Sequence, residues 1–382
     1  MPLGVRWISW VPGDGYGDAA LRYVRALDAL DVPVTWTPLS FPPELAPATD
    51  YRGEMQHLAH RTIEHDVVVA HLPLDRGIAF TRDDGKRRTL AYTTWEIDRV
   101  PPGWAAYAEE FDAVLVPSRF NLGALVAAGC RVDAHVVPHC VPAAKGRGSA
   151  PYEGLGDRFV FYTVGTWSTR KAVGETVAAF LDAFDAHDDV ALVVKTSDFN
   201  QQAIAQARRG LTVSGPSPLE LTPLPAFTAL FSGRRNVPEV GLIAEHVRAD
   251  QIQALHAHGD CFVSLTRSEG FGLCIADALA AGNPAVVTGW GGHLDYLGAD
   301  YPLLVDYDLI PTSDDVRDDW FEPQKAFRWA KARHDHAVEL MRWVADHRDD
   351  AAVLGQRVGE RVARELAPDA VARRLLTYLA PR

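Results

Sequence analysis

The sequence is poor in sulfur, with four cysteines and three methionines among 382 residues. Cys130, Cys140, Cys261 and Cys274 form no Cys-x-x-Cys pair and show no metal-ligand spacing, which argues against a thiolate metal centre and a disulfide framework. They read as buried, reduced thiols, the usage of a cytoplasmic protein. Long apolar runs are missing too. None reaches the roughly 18 residues that a membrane-spanning helix needs. The opening Met-Pro-Leu-Gly-Val-Arg lacks the charged leader and apolar stretch of an export signal. Positive charge is in deficit: 38 Lys and Arg stand against 50 Asp and Glu, a net charge of −12. That balance argues against a nucleic-acid partner bound by phosphate neutralisation. There is no internal repeat, no low-complexity tract, and no Asp-x-Asp in a loop suited to a metal–diphosphate complex. His334-x-His336 sits on an expected helix at a spacing that puts the two imidazoles on different faces, so it is not a metal site.

What the chain does have is apolar residues, 47% of the total, in runs of alternating strand and helix length. A strand at Val5 to Val11 breaks into Gly13-Asp14-Gly15-Tyr16-Gly17. A helix then runs from Asp18 to Leu30, and a second strand starts at Val32. Further strand-like runs follow at Asp66 to Ala70, Thr89 to Thr94, Ala113 to Val116 and Ala134 to Val137, with Ser118 placed to cap a helix. Residues 142–157 have the Gly, Pro, Ala and Ser content of a linker. A second alternating series starts at Phe159, and helices are expected from about Phe327 to Ala345 and from Ala351 to Leu379, broken near Pro368. The fold class is therefore α/β, with two Rossmann-like doubly wound domains facing a cleft. The first covers 1–150 and the second 151–350, followed by C-terminal helices over 351–382.

The most informative stretch is Ser264-Leu-Thr-Arg-Ser-Glu269-Gly270-Phe271-Gly272-Leu-Cys-Ile-Ala-Asp277-Ala-Leu-Ala-Ala-Gly282-Asn-Pro284. A strand ends, a carboxylate stands at its carboxyl edge, and glycines turn the backbone into a helix. Open α/β sheets bind ligands at that edge, and a helix start favours anionic groups. Asp277 lies far enough into the helix to face the same cleft as Glu269 from another height. Carboxylates accept hydrogen bonds from hydroxyls, which suits a sugar or ribose. This stretch resembles the Glu-x7-Glu signature of the retaining GT-B glycosyltransferases, in particular glycosyltransferase family 4. The resemblance implies that Glu269 contacts hydroxyls of the transferred sugar and that Asp277 meets the nucleotide ribose. Aspartate is one methylene shorter than the family's glutamate, which predicts a shifted or water-mediated contact. Gly270, Phe271 and Gly272 fall in the donor-binding turn.

Gly165-Thr166-Trp167-Ser168-Thr169-Arg170-Lys171 resembles the family's Gly-Arg-x4-Lys loop, whose two cations hold the donor diphosphate. Lys171 matches the lysine, whereas Thr166 replaces the arginine. Two cations from Arg170, Lys171 and Lys195 are therefore expected on the diphosphate. Gly15, Tyr16 and Gly17 resemble the loop that reaches across the cleft toward sugar and phosphate. They do not form Gly-x-Gly-x-x-Gly, and no acidic residue ends the next strand, which counts against a dehydrogenase. His71 resembles a strand-end histidine near the reacting sugar; a polar structural histidine is the competing reading. Glu96, in an aromatic–Glu pair with Trp95, either orients substrate hydroxyls or is a surface carboxylate. His139 matches a loop entering the interdomain cleft, and Gly289-Trp290-Gly291-Gly292-His293 is placed to offer backbone amides near the donor. Arg82, Lys86, Arg87 and Arg88 form a basic cluster that either meets an anionic acceptor or is a wet loop.

The resemblance implies hexosyl transfer from a nucleotide diphosphate sugar, with retention, without metal and without a resident cofactor. It also implies that the acceptor binds on the domain over 1–150, the donor on the domain over 151–350, and that the C-terminal helices over 351–382 pack back on the first domain. The acceptor is a glycan, a lipid-linked molecule or a small molecule. Other reactions on the same fold remain as alternatives, a sugar phosphorylase or a nucleotide-sugar epimerase, as does a non-catalytic nucleotide-sugar-binding protein.

Overall fold

The computed structural model describes residues 3–13, 15–39, 55–80, 87–101, 103–143, 152, 154–208, 217–312 and 327–380. The domain boundary expected at 150/151, most of the linker, Arg82 and Lys86 lie outside these residues.

The first half is built from β1 (Val5–Trp10), α1 (Gly15–Asp28), β2 (Val34–Leu39), β3 (Val67–His71), α2 (Leu74–Gly77), β4 (Arg88–Tyr92), α3 (Trp104–Ala108), β5 (Ala113–Val116), α4 (Arg119–Ala127) and β6 (Ala134–Val136). Its six strands are all parallel, in the order β2-β1-β3-β4-β5-β6. Helices on both faces explain why β3 reads Val-Val-Val-Ala-His, buried throughout rather than alternating. The second half contains β7 (Phe159–Val164), α5 (Val173–Ala183), β8 (Val190–Lys195), α6 (Gln201–Arg208), α7 (Leu224–Ala229), β9 (Glu239–Ile243), α8 (Ala249–His258), β10 (Cys261–Ser264), α9 (Leu273–Ala280), β11 (Ala285–Thr288), α10 (Leu294–Leu297) and β12 (Leu304–Val305). Its strands form a second parallel sheet, β12-β11-β10-β7-β8-β9. The expected class, two doubly wound α/β units, is what the structure has.

One segment departs from the sequence reading. Phe327 to Ala332 was expected to open a helix; it contains β14 (Arg328–Ala332), which pairs antiparallel with β13 (Tyr307–Pro311). Phe327 and Trp329 alternate with exposed Arg328, and Phe327 packs into an apolar cluster of the first half with Trp95 and Trp104. Tertiary burial, together with a strand partner distant in sequence, overrides a locally helical composition. The chain ends with α11 (His334–Asp346), α12 (Arg348–Glu365) and α13 (Pro368–Leu379), the last break falling just before Pro368.

The tail divides between the two halves. Helix α12 packs on α9, whereas α13 crosses back and packs on α1. Val371, Ala372, Leu375 and Leu379 complete the core formed by Tyr23, Val24 and Leu27. Arg88, expected in a basic surface cluster, donates instead to the carbonyls of Tyr378 and Ala380 at the end of α13. Those carbonyls have no partner within the helix, and a cation beside them also opposes the helix dipole favourably. Arg87 donates to the His65 carbonyl.

Candidate active site

The carboxyl edges of the two sheets meet, and the Ser264–Gly272 turn is where they touch. Gly270 explains how. A side chain there would lie 2.5 Å from Thr94 Cγ2 and 2.7 Å from the Trp95 carbonyl, so only glycine lets this backbone dock on the first domain. Ser118 Oγ donates to the Gly270 carbonyl at 2.6 Å and also accepts the Asn121 amide, the expected N-cap of α4. Asn121 locks the same corner, exchanging hydrogen bonds with the Trp95 backbone at 3.0 and 2.6 Å. Gly272, at φ +81°, then starts α9 in the left-handed region.

Glu269 is thereby held at the domain boundary, 8% exposed. Lys171 Nζ donates to its Oε1 at 2.5 Å, and Arg170 Nη1 stands 3.7 Å from Oε2. Burial alone would raise the Glu269 carboxyl; the Lys171 and Arg170 charges outweigh it and hold the group below its ordinary range. Arg170 also reaches Glu96 of the first domain at 3.6 Å and donates to the Ser268 carbonyl at 2.8 Å. Four of the residues singled out in the sequence, Glu96, Arg170, Lys171 and Glu269, thus form one ion-pair chain between the domains. Phe271 beside them presents its ring to His139 at 4.8 Å.

Asp277, one and a half turns into α9, is buried against a residue that the sequence reading did not single out. Arg22 of α1 grips both its oxygens, at 2.7 and 2.6 Å, and donates as well to the Cys140 carbonyl at 3.0 Å. Nothing local marks Arg22, because its partner lies 255 residues away. Burial pushes the Cys274 thiol, in the first turn of α9, up to about 11, with Lys171 opposing that rise and Asp277 and Glu269 adding to it. Lys195, at the end of β8, donates to the Thr196 carbonyl, and burial lowers its ammonium from the usual value.

The other expected residues lie in a different setting. His71 is completely buried, ringed by Trp7, Tyr16, Tyr23, Tyr92 and His139 at centroid distances of 4.3 to 6.0 Å. Neither ring nitrogen has a partner among the described residues. Burial pushes His71 well below its ordinary value and His139 down to about 3, so both imidazoles are neutral near pH 7. Tyr16, flanked by Gly15 and Gly17 at the start of α1, closes this box and donates to the Thr94 carbonyl. In the Gly289–His293 loop, the Gly292 amide does not face the cleft; it donates to the Glu269 carbonyl at 2.7 Å. His293, also fully buried, meets the Thr288 carbonyl. No group of three His, Cys, Asp or Glu among the described residues is arranged to hold a metal ion, and no described helix is long and apolar enough to cross a membrane.

No known family and no curated protein matches the sequence. Solved structures do. Sucrose-phosphate synthase from Thermosynechococcus elongatus aligns over 98% of both chains with a TM-score of 0.66 at 14% identity. HepE of Anabaena, in complex with UDP-glucose, aligns over 99% of both chains at 0.61 and 14%. An E. coli trehalose-6-phosphate structure bound with UDP-2-fluoro glucose aligns over 99% of this chain and all of the other, at 0.62 and 10%. At such identities the likeness is one of fold, and over its whole length this chain has the two-domain α/β fold of the GT-B glycosyltransferases.

Proposed function

We propose that the protein is a glycosyltransferase that moves a hexose from a nucleoside diphosphate sugar to an acceptor hydroxyl. The observation that carries the reading is the chain Glu96–Arg170–Glu269–Lys171 at the meeting of the two sheet edges. A diphosphate entering the cleft offers Lys171 and Arg170 a doubly charged partner. Their shift onto it frees the Glu269 carboxylate to accept hydrogen bonds from sugar hydroxyls. The same two cations, with Lys195 behind them, then stabilise the negative charge that builds on the leaving phosphate, the task a metal ion performs in other transferases. Glu96, on the first domain, orients the acceptor. No further carboxylate stands opposite Glu269 as a nucleophile among these contacts, which fits retention through front-face attack, the departing phosphate taking the acceptor proton. The UDP-glucose and UDP-2-fluoro glucose bound to similar folds favour a uridine donor. Reduced cysteines suit a cytoplasmic setting.

Donor hydrolysis and transfer are measured across UDP-, GDP-, ADP- and TDP-sugars in the presence and absence of EDTA. The expected result is turnover of one donor, insensitive to chelation, with Glu269→Gln slowed about 10²- to 10³-fold. Full activity in Glu269→Gln would remove the proposal, and binding without turnover would identify a non-catalytic nucleotide-sugar-binding protein.

A further inference from the structure

The strand β14 belongs to neither of the two large sheets, yet its residues touch both sides of the cleft. On one side Phe327, 4% exposed, is seated among Trp95, Ile97, Val100 and Trp104 of the first domain. Next to it the Arg328 amide donates to Asp98 Oδ1 at 2.8 Å. Glu96 lies on the same short segment, between Trp95 and Ile97, whose buried side chains anchor it. On the other side the Trp329 ring is wholly buried, with the Arg267 guanidinium lying over it at 5.2 Å. The Ala330 amide donates to the Arg267 carbonyl at 2.9 Å, and the Arg267 amide donates to the Arg170 carbonyl at 2.7 Å. Arg267 stands two residues before Glu269.

An extended chain advances about 3.3 Å per residue, so Phe327 to Ala330 covers about 10 Å. Those four residues reach from the loop of Glu96 to the turn of Glu269, and pairing with β13 keeps them extended. Glu96 meets Arg170 at 3.6 Å, too long for a hydrogen bond, so the backbone that carries it must set its place. Resting on the transferase reading above, we infer that β14 is a strap that sets the acceptor-orienting Glu96 against the donor-side Arg170 and Glu269. Phe327 and Asp98 are its positioning residues. Neither touches a reacting atom; both act by holding the loop of Glu96. Lys171, Arg170 and Glu269 all belong to the second domain and keep their mutual contacts without the strap. An acceptor hydroxyl is presented from the first domain. Slippage between the halves therefore impairs transfer and spares hydrolysis of the donor by water.

Asp98→Ala removes the acceptor of the Arg328 amide without opening the core, and Asp98→Asn keeps an accepting oxygen. Phe327→Ala empties the socket in the first domain; should it not fold, Asp98→Ala carries the test alone. Hydrogen exchange needs no substrate. Asp98→Ala should speed it about 3- to 10-fold over both 95–99 and 266–269, with α4 unchanged. A rise confined to 95–99 would mean that β14 ties nothing to the donor side, and a rise everywhere would mean plain destabilisation. Kinetics give the second readout, with UDP-, GDP-, ADP- and TDP-sugars as donors and glycerol, monosaccharides and disaccharides as acceptors. Transfer should fall about 10-fold in Asp98→Ala and about 10²-fold in Phe327→Ala, as a shift of about 1 Å in a positioned group does. Donor KM and hydrolysis without acceptor should stay unchanged, and Asp98→Asn should restore transfer. In a Glu96→Gln background both losses should largely vanish, because the strap acts through Glu96. Losses that persist there in full, or fall equally on hydrolysis, would overturn the proposal. If no donor is turned over, the transferase reading falls; then, or if no acceptor in the panel is used, the exchange pattern alone decides the strap.

Discussion

The two sheets end in opposite kinds of chemistry. The first closes on His71, with His139, Tyr92, Tyr23 and Tyr16 around it, all aromatic and all uncharged. The second closes on the carboxylates of Glu269 and Asp277, each with a cation against it. Burial presses on both. In the first box no opposite charge is at hand, so the imidazoles give up their protons. In the second, Lys171 and Arg170 outweigh the desolvation of Glu269, and its charge persists. The lesson concerns where a ligand acts. A sealed neutral box can stack, pack and offer hydrogen bonds. A set of ion pairs can also exchange partners with an arriving anion, as the proposed chemistry requires.

The largest way to break that contrast is to leave the second box unbalanced. Lys171→Met removes the 2.5 Å partner of a carboxylate that is 8% exposed. A buried pair broken on one side costs about 3–5 kcal/mol, and Arg170, at 3.7 Å, recovers part of it. Denaturant unfolding should therefore show a loss at or below the lower end of that range. Donor turnover should fall about 10²-fold or more. The paired substitution Lys171→Met/Glu269→Leu should regain stability but not activity. A Lys171→Met protein as stable as the parent would mean that Glu269 is not paired in solution.

A smaller effect tests the first box through pH. The folded His139 imidazole titrates near 3, below the ordinary 6.5 of the unfolded chain. As pH falls the unfolded state takes up the proton first. The contribution of His139 is therefore complete above about pH 6.5 and is lost as pH drops from there toward 3, at up to about 1.4 kcal/mol per pH unit. His71 is shifted the same way. Glu269, held below 4.5, begins to count against the folded state only under that value. Between pH 6.5 and 4.5 the imidazoles can be read apart from Glu269. His139→Phe should make the slope of stability against pH shallower by about 1.4 kcal/mol per unit; an unaltered slope would show that His139 is charged or exposed in the folded protein.

What the sequence disclosed follows the same division. The strands and the turn at Glu269 were legible because local pattern creates them: apolar runs buried on both faces, glycines at a sharp corner, Ser118 at a helix start. Arg170 and Lys171 were legible because the loop Gly165–Lys171, after the first strand of the second half, resembles one whose cations hold a diphosphate. Arg22 was not, since an arginine four residues after Asp18 on a helix looks like any solvated face until α9 is laid against it. The Gly289–His293 loop was expected to offer backbone amides near the donor because a glycine loop after a strand commonly points at a ligand; one of those amides, that of Gly292, is taken up within the protein. Here the docked turn leaves the Glu269 carbonyl needing that donor. The strand at Arg328–Ala332 failed for a related reason: its partner strand and its aromatic pocket both lie far off in sequence.

The finest test of the boundary between the two boxes is Ser118, because one oxygen performs two separable tasks. It accepts the Asn121 amide as helix cap at 3.2 Å, within the first domain, and donates to the Gly270 carbonyl at 2.6 Å, across to the second. Alanine abolishes both. Glycine is tolerated at a helix cap with a loss of only a few tenths of a kcal/mol, so it abolishes chiefly the contact between domains. Asn121 Nδ2 lies 3.4 Å from the same carbonyl and is a poor substitute. Ser118→Gly should therefore cost about 1 kcal/mol, the net worth of a buried hydrogen bond, and Ser118→Ala about 1 kcal/mol more. Unfolding in denaturant resolves the two. If Ser118→Gly matches the parent, Asn121 alone holds the turn. The domains would then meet through Gly270 by shape, and Ser118 would be a helix cap and nothing further.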